Sequence, residues 1–339
     1  MKWVAPLLAA ALCLPTAAPE PPMKQSAAAF LDSLGKDLRA KAVLPFASDE
    51  KERWAYTPGP RPGVSWADLN AAQKEAAKRL LVAALGEPGA EKVEAIRQLE
   101  PILREMERGN PGRDPERYWF VFFGEPSGDR WAWRYEGHHV SLSFTVLGNS
   151  VVSSTPQFLG TNPAEGRDLR QPATSSEGRR VLDKEQDLAF AFADMLTPAQ
   201  WTKARLAATA PGDIVTTNSR KASIEDRRGL PWADLTSSQR EGLKRLVEAH
   251  TFVQSPAERI KRLEDIGREG WDKLVFAWMG PKERRARHYY RILGERFVIE
   301  FDCTQDDGNH IHTVWRRLDG DFPSDPLADP LAAHYREHH

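Results

Sequence analysis

Gly63-Val64-Ser65-Trp66-Ala67-Asp68-Leu69-Asn70-Ala71-Ala72-Gln73 returns 166 residues later as Gly229-Leu230-Pro231-Trp232-Ala233-Asp234-Leu235-Thr236-Ser237-Ser238-Gln239. The match continues without a gap to Lys78-Arg79-Leu80 against Lys244-Arg245-Leu246, and ten of the eighteen positions from Gly63 and Gly229 are identical. Unrelated segments of that length share about one position, so the chain reads as one unit used twice. Upstream, Phe30-Leu31-Asp32-Ser33-Leu34 matches Phe192-Ala193-Asp194-Met195-Leu196. Downstream, residues 118–124 match 274–280 and 131–144 match 288–301, which sets Arg134 against Arg291, Ser143 against Glu300 and Thr145 against Asp302.

Each unit has the same order of patterns. An amphipathic helix is expected over 26–43 and again over 184–209. The Trp-Ala-Asp-Leu segment then enters a second helix, whose start carries Asn70-x-x-Gln73 in one unit and Thr236-x-x-Gln239 in the other, a capping-box spacing. The symmetry of Trp66 and Trp232 argues for packing at a helix entry rather than for ligand contact. A third helix is expected over 91–108 and 256–268. The hydrophobic period then changes to two, predicting strands over 118–123, 130–135 and 139–145, and over 273–279, 286–292, 297–303 and 310–316. Helices followed by strands, without βαβ alternation, predict an α+β fold: an internal duplication in which each repeat has an N-terminal helical part followed by an antiparallel β-meander. The expected organisation is a signal peptide over 1–18, repeat 1 over 26–150, a linker over 151–180, repeat 2 over 181–322 and a C-terminal tail over 323–339. Thr155-Pro156-Gln157-Phe158-Leu159-Gly160-Thr161-Asn162-Pro163 has no counterpart in the second unit, and is read as a candidate pocket lid.

Composition narrows the function classes. Lys and Arg number 47 against 48 Asp and Glu over 339 residues, so the near-zero net charge argues against a nucleic-acid partner. Lys2 followed by the apolar run to Leu14 and small residues at Ala17-Ala18 has the form of a secretory leader, and no later segment reads as a membrane span. The expected location is therefore extracytoplasmic, secreted or periplasmic. Cleavage removes Cys13 and leaves Cys303 alone, a buried small hydrophobe. Nucleotide-binding glycine loops, His-Glu-x-x-His, Cys-x-x-Cys and Gly-x-Ser-x-Gly are all absent. The basic run Lys282-Glu283-Arg284-Arg285-Ala286-Arg287 reads as a solvated turn.

The candidate chemistry lies in the histidines. Residues two apart on a strand share a face, so His310 and His312 point one way and Ile311, Thr313 and Trp315 the other. On the preceding strand Phe297, Ile299, Phe301 and Cys303 alternate with Val298, Glu300 and Asp302. A hairpin turn over Asp306-Asp307-Gly308-Asn309 that sets Asp302 opposite His310, and Glu300 opposite His312, gathers two imidazoles and two carboxylates. In the first unit His139 shares the polar face with Ser141, Ser143 and Thr145; His138 lies on the other. His139, Glu300, His310 and His312 are thus candidate ligands for a divalent ion, zinc or iron. Asp302 is a candidate base, and Arg134 and Arg316 are candidate catalytic residues binding an anionic substrate group. The competing reading is a structural polar face of hydrogen-bonded pairs on a half-exposed sheet.

Arg134-Tyr135-Glu136-Gly137-His138-His139, Thr155-Pro156-x-Phe158-Leu159-Gly160, Ile299-Glu300-Phe301-Asp302, Asn309-His310-Ile311-His312-Thr313-Val314-Trp315-Arg316, Gly320-Asp321-Phe322 and His334-Tyr335 together resemble the domain of unknown function 3500 family over nearly the whole mature chain. The resemblance implies kinship and supplies no activity. The function expected is a metal-dependent hydrolase or oxidoreductase acting on a small molecule or polymer. The alternative is a non-catalytic extracytoplasmic module that binds a ligand or protein through the aromatic-rich strands 119–123 and 131–135.

Overall fold

A computed structural model describes residues 22–165 and 180–323. The expected leader, the later part of the expected linker and, beyond Pro323, the expected tail lie outside the described residues. The first half carries α1 (Met23–Ser33), α2 (Lys36–Ala42), β1 (Val43–Leu44), β2 (Val64–Ser65), α3 (Ala71–Arg97), α4 (Glu100–Met106), β3 (Tyr118–Phe123), β4 (Arg130–Gly137), β5 (Val140–Leu147), β6 (Ser150–Ser153) and β7 (Gln157–Thr161). The second carries α5 (Asp183–Asp194), α6 (Pro198–Ala204), β8 (Arg205–Ala207), β9 (Leu230–Pro231), α7 (Ser237–Thr251), α8 (Pro256–Glu269), β10 (Val275–Met279), β11 (His288–Leu293), β12 (Phe297–Gln305) and β13 (His310–Arg317). The class is mixed α and β.

Local chemistry explains the elements. Both capping boxes form, Asn70 with Gln73 and Thr236 with Gln239. Each glutamine also reaches the end of the preceding helix, Gln73 donating to Ser33 O and Gln239 to Met195 O. The two expected N-terminal helices each break in two. In the first unit Leu34 is extended at the break before Gly35, and in the second Thr197 caps a new helix at Pro198. Gly86, at φ 68° and ψ 165°, leaves helical geometry inside α3 and divides it between the expected second and third helices of the first unit. Gly63 and Gly229 open the repeated motif because the chain runs against β3 and β10: a Cβ there would lie 2.1 Å from Phe120 O and 2.4 Å from Phe276 O. Trp66 and Trp232 pack in the core as expected, while Asp68 and Asp234 take ion pairs from Lys41 and Lys203.

Among the described residues the strands form one thirteen-stranded sheet in the order β1-β3-β4-β5-β7-β13-β12-β11-β10-β8, with β2, β6 and β9 attached to β3, β5 and β10. From either edge the path meets a short parallel strand, an antiparallel meander and one further strand; these last two, β7 and β13, pair at the centre through Thr161↔Ile311 to Gln157↔Trp315. The segment read as a lid is therefore corrected: Gln157–Thr161 is a fully buried central strand. Phe158, Leu159 and the β-branched Thr161 suit that place, and the pairing of β7 with both β5 and β13 satisfies its backbone groups.

One face of the sheet is apolar, with Val140, Leu142, Phe144, Ile299, Phe301, Ile311 and Trp315 packed in the main core with the helices. The opposite face is polar but not solvated. Arg134, Glu136, Ser141, Ser143, Thr145, Glu300, Asp302 and Arg316 are all buried beneath two loops, residues 45–62 and 208–228. Covered loops must satisfy their backbone groups, and the sheet's charged residues do so. Arg134 donates to Glu50 O and Lys51 O, and Glu136 accepts from Ala55 N. Arg291 donates to Asp226 O, and Arg316 to Thr217 O and Ser219 O. No helix among the described residues is long and apolar enough to cross a membrane.

Candidate metal centre

The centre forms where the β4–β5 turn of one half meets β13 of the other. Gly137 pairs with Val140, so His138 and His139 are the two residues of the turn. The expected strand at 139 is corrected accordingly: His139 precedes β5, at φ 65°. A β-carbon makes that left-handed conformation unfavourable, and a non-glycine residue held there at a turn points to a side chain needed at that spot. The backbone secures it, His139 N donating to Tyr56 O and His139 O accepting from Gly160 N. Gly160 leaves the space, since a Cβ on it would lie 2.9 Å from His139 Cδ2 and 3.0 Å from His312 Cδ2.

The β12–β13 register differs from the expected one. Asp302 faces His312, Glu300 faces Val314, and a bulge sets Gln305 opposite His310. The turn takes Asp306 and Asp307 in left-handed conformations, which shifts the pairing by two residues and preserves which side chains share a face. His139, His310 and His312 consequently offer ligand atoms within 4.8 Å of one another. His139 Nε2 lies 2.8 Å from His310 Nε2. Asp302 joins His312 and Asp213 in a second such group, and Glu100 joins His138 and His139 in a third.

Carboxylates orient the two strand imidazoles. His310 Nδ1 is 3.0 Å from Asp306 Oδ2, and His312 Nδ1 is 2.7 Å from Asp213 Oδ1. A carboxylate accepts only, so each Nδ1 carries the proton and each Nε2 keeps its lone pair, that of His310 facing His139. Asp213 also accepts from the Tyr56 hydroxyl. Its burial acts to raise its pKa, but the bonds from His312, Ile214 N and Tyr56 outweigh that and hold it low. Burial, with the neighbouring imidazoles, lowers the pKa of His139 well below the ordinary histidine value. Burial and His312 bring His310 down to about 4 against the opposing pull of Asp306. Both are neutral at pH 7, the form that binds a metal. Burial raises Asp302 to about 8, with Asp213 and Glu300 adding to it and Thr304 opposing. At the rim His138 stacks on His139 with ring centroids 3.7 Å apart and contacts Glu100.

Three predicted site residues lie elsewhere. Glu300 does not join the imidazoles; it accepts from Val215 N, Thr216 N, the Thr216 hydroxyl and Tyr289 OH. Arg134 and Arg316 stand four residues along their strands from the turn residue His138 and from His312, about 13 Å away. They clamp the covering loops instead of reaching the centre. Asp213, Tyr56 and Glu100 escaped the sequence reading. The first two lie in irregular loops without periodicity, and Glu100 opens a short helix far from the strands in sequence. The aromatic strands 119–123 and 131–135, on which the binding-module alternative leaned, are core: Trp119 to Phe123 and Trp131 to Trp133 with Tyr135 are buried. The basic run at 282–287 has ion pairs from Lys282, Arg284, Arg285 and Arg287 to acids, in keeping with a solvated turn.

No curated protein and no solved structure matches the chain. Its family is nevertheless clear, because one family description covers residues 16–324. The chain belongs to that family, the protein of unknown function DUF3500.

Proposed function

We propose that this chain is an extracytoplasmic protein of two fused repeats that holds one divalent ion, zinc or iron, on His139, His310 and His312. The observation that carries the reading is the pairing of both strand imidazoles with carboxylates through Nδ1, which leaves Nε2 of each as the ligand atom, that of His310 facing His139 Nε2. Imidazole donors suit zinc and iron. A tetrahedral zinc ion places its ligand atoms about 3.3 Å apart, so His139 and His310, with Nε2 atoms 2.8 Å apart, would separate slightly while the set as a whole, within 4.8 Å, draws in. Three protein ligands leave a coordination position open, the arrangement of a catalytic rather than a structural ion, and such an ion supplies Lewis-acid or redox chemistry. Asp302 stands opposite His312 on the neighbouring strand and would be the carboxyl group at hand for proton transfer beside a bound ion. The leader-like start at Met1 supports the location, and a metal-dependent hydrolase or oxidoreductase is the activity class that follows.

The test is elemental analysis of untagged protein after loading with zinc or iron and dialysis. Wild type is expected to retain about one ion per chain, and the His310→Ala/His312→Ala variant none beyond the weak background of the C-terminal histidines. Equal retention by both, or none by wild type, rejects the proposal. Asp213→Asn is expected to keep the stoichiometry while weakening metal affinity about 10- to 100-fold, because His312 loses the carboxylate that orients it; competition with a chelator of known affinity measures this.

A further inference from the structure

We infer that the cleft between β6 and α8 binds a neutral polyhydroxylated ligand, a sugar or short saccharide, at a site separate from the metal centre. The cleft encloses about 790 Å³ out to the solvent, within the range of about 300–1,000 Å³ usual for small-molecule sites. It lies on the helix-covered face of the sheet, at the end of β13 remote from His310. One wall is β6, which among the described residues pairs with β5 alone. The other is a single face of α8, on which Glu258, Lys261, Arg262, Asp265, Ile266 and Glu269 recur turn by turn. Phe297 and Trp315, stacked with ring centroids 5.0 Å apart, join Ile266 as the apolar part of the lining.

The lining residues differ in what they have left to offer. Lys261 donates to Val151 O, Arg262 to Ser154 O, Ser154 Oγ and Gln157 Oε1, and Arg296 and Arg317 pair with Asp319. Asp265 pairs with Arg268. No hydrogen bond or ion pair from a described residue reaches the carboxylates of Glu258 and Glu269. Glu258 stands at the third position of α8, where a glutamate commonly accepts from the N–H of the capping residue; here Ser255 N donates to Ala84 O instead. Burial raises the pKa of both glutamates, against the pull of Lys261 and Arg262 on the first and chiefly of Arg296 on the second. Carboxylates so placed gain from donors that a ligand brings. A cation is not selected, because Lys261, Arg262, Arg296, Arg317 and Arg268 already offset Glu258, Asp265, Glu269 and Asp319. An anion is not selected either, because the cations serve acceptors of the protein itself. Hydroxyl groups donate to the open carboxylates without bringing charge, and a pyranose carries them around an apolar C–H face that suits Ile266, Phe297 and Trp315.

The experiment is saturation-transfer NMR followed by calorimetric titration of the full untagged chain with maltose, cellobiose, lactose and chitobiose, with spermidine and citrate as charged controls. At least one saccharide is expected to bind with a Kd of about 1 mM or tighter, and neither control is. Glu258→Ala/Glu269→Ala is expected to weaken that binding at least about tenfold, because the ligand hydroxyls lose their acceptors. Its Tm should be unchanged or higher, since neither carboxylate holds another residue. Should that variant not fold, Val152→Trp, which crowds the cleft from β6, takes its place with the same expected loss of binding. A chelator should leave the affinity unaltered, because the cleft and the imidazoles lie on opposite faces of the sheet. Failure of all four saccharides, preference for either control, equal affinity in the variant, or loss of binding on chelation would each overturn the inference.

Discussion

Arg316→Met is expected to destabilise the protein by about 3–5 kcal/mol, the range for removing one partner of a buried ion pair. Arg316 Nε and Asp321 Oδ2 are 2.7 Å apart and both side chains are fully buried. The guanidinium also donates to Thr217 O and Ser219 O and lies over the Trp54 ring, so its loss leaves the Asp321 carboxylate without its counter-charge and two loop carbonyls without this donor. In urea denaturation the midpoint should fall, and Tm should drop by at least about 6 °C. Arg316→Lys should recover only part, since an ammonium lacks the planar fork that serves Asp321 and the loop together. The deficit should depend on pH with a definite sign. Burial already raises the Asp321 pKa against the opposing effect of Arg316, and losing Arg316 raises it further. A carboxyl whose folded pKa is raised holds its proton more tightly in the folded state, so the variant should be least stable near pH 7. It should recover as pH falls toward the unfolded carboxyl value of about 4. A loss under about 1 kcal/mol at neutral pH would contradict this account of the clamp.

Gly160→Ala is expected to weaken metal binding by at least about tenfold and to cost about 1–3 kcal/mol of stability, the usual price of overpacking. The added methyl would meet two ring carbons of the proposed ligands and, at 3.0 Å, Ile311 O, which belongs to the pairing that holds β7 to β13. The rings can move apart, which spoils the convergence of their nitrogens, or the strands can separate, which spoils the sheet. Metal titration and thermal unfolding read these two consequences separately. Gly35→Ala is the control, because nothing lies within 4 Å of its added Cβ. Unchanged metal affinity in Gly160→Ala would mean that the three histidines are not the ligands.

The legible part of the fold was the part written in periodicity. The strand expected at 118–123 forms as Tyr118–Phe123, and the sharing of a face by His310 and His312 follows from alternation alone. The faces of β12 were likewise readable from Phe297, Ile299 and Phe301. Their register was not, because it depends on how many residues the turn at Asp306 absorbs, and a two-residue shift leaves the alternation unchanged. The role of β7 was hidden by the repeat itself: its sequence has no match in the second half, although its place in the sheet is the counterpart of β13. The polar face looked solvent-exposed because charged residues on a strand usually are. Here loops without any pattern cover it, and the charges serve those loops.

The sequence by itself determined the order of helices and strands, the family, and the candidate histidines, since all of these depend on local pattern and on similarity along the chain. Tertiary structure alone decided the centre's composition. His139 and His310 are 171 residues apart, and His312 and Asp213 are 99 apart, so their meeting depends on the pairing of β7 with β13 and on the loop laid over the sheet. Contacts between segments so distant are set by shape and burial across the whole fold, which no local spacing records. The same holds for Arg134, Glu300 and Arg316: their charge suggested chemistry, and the burial that makes them loop clamps became visible only in three dimensions.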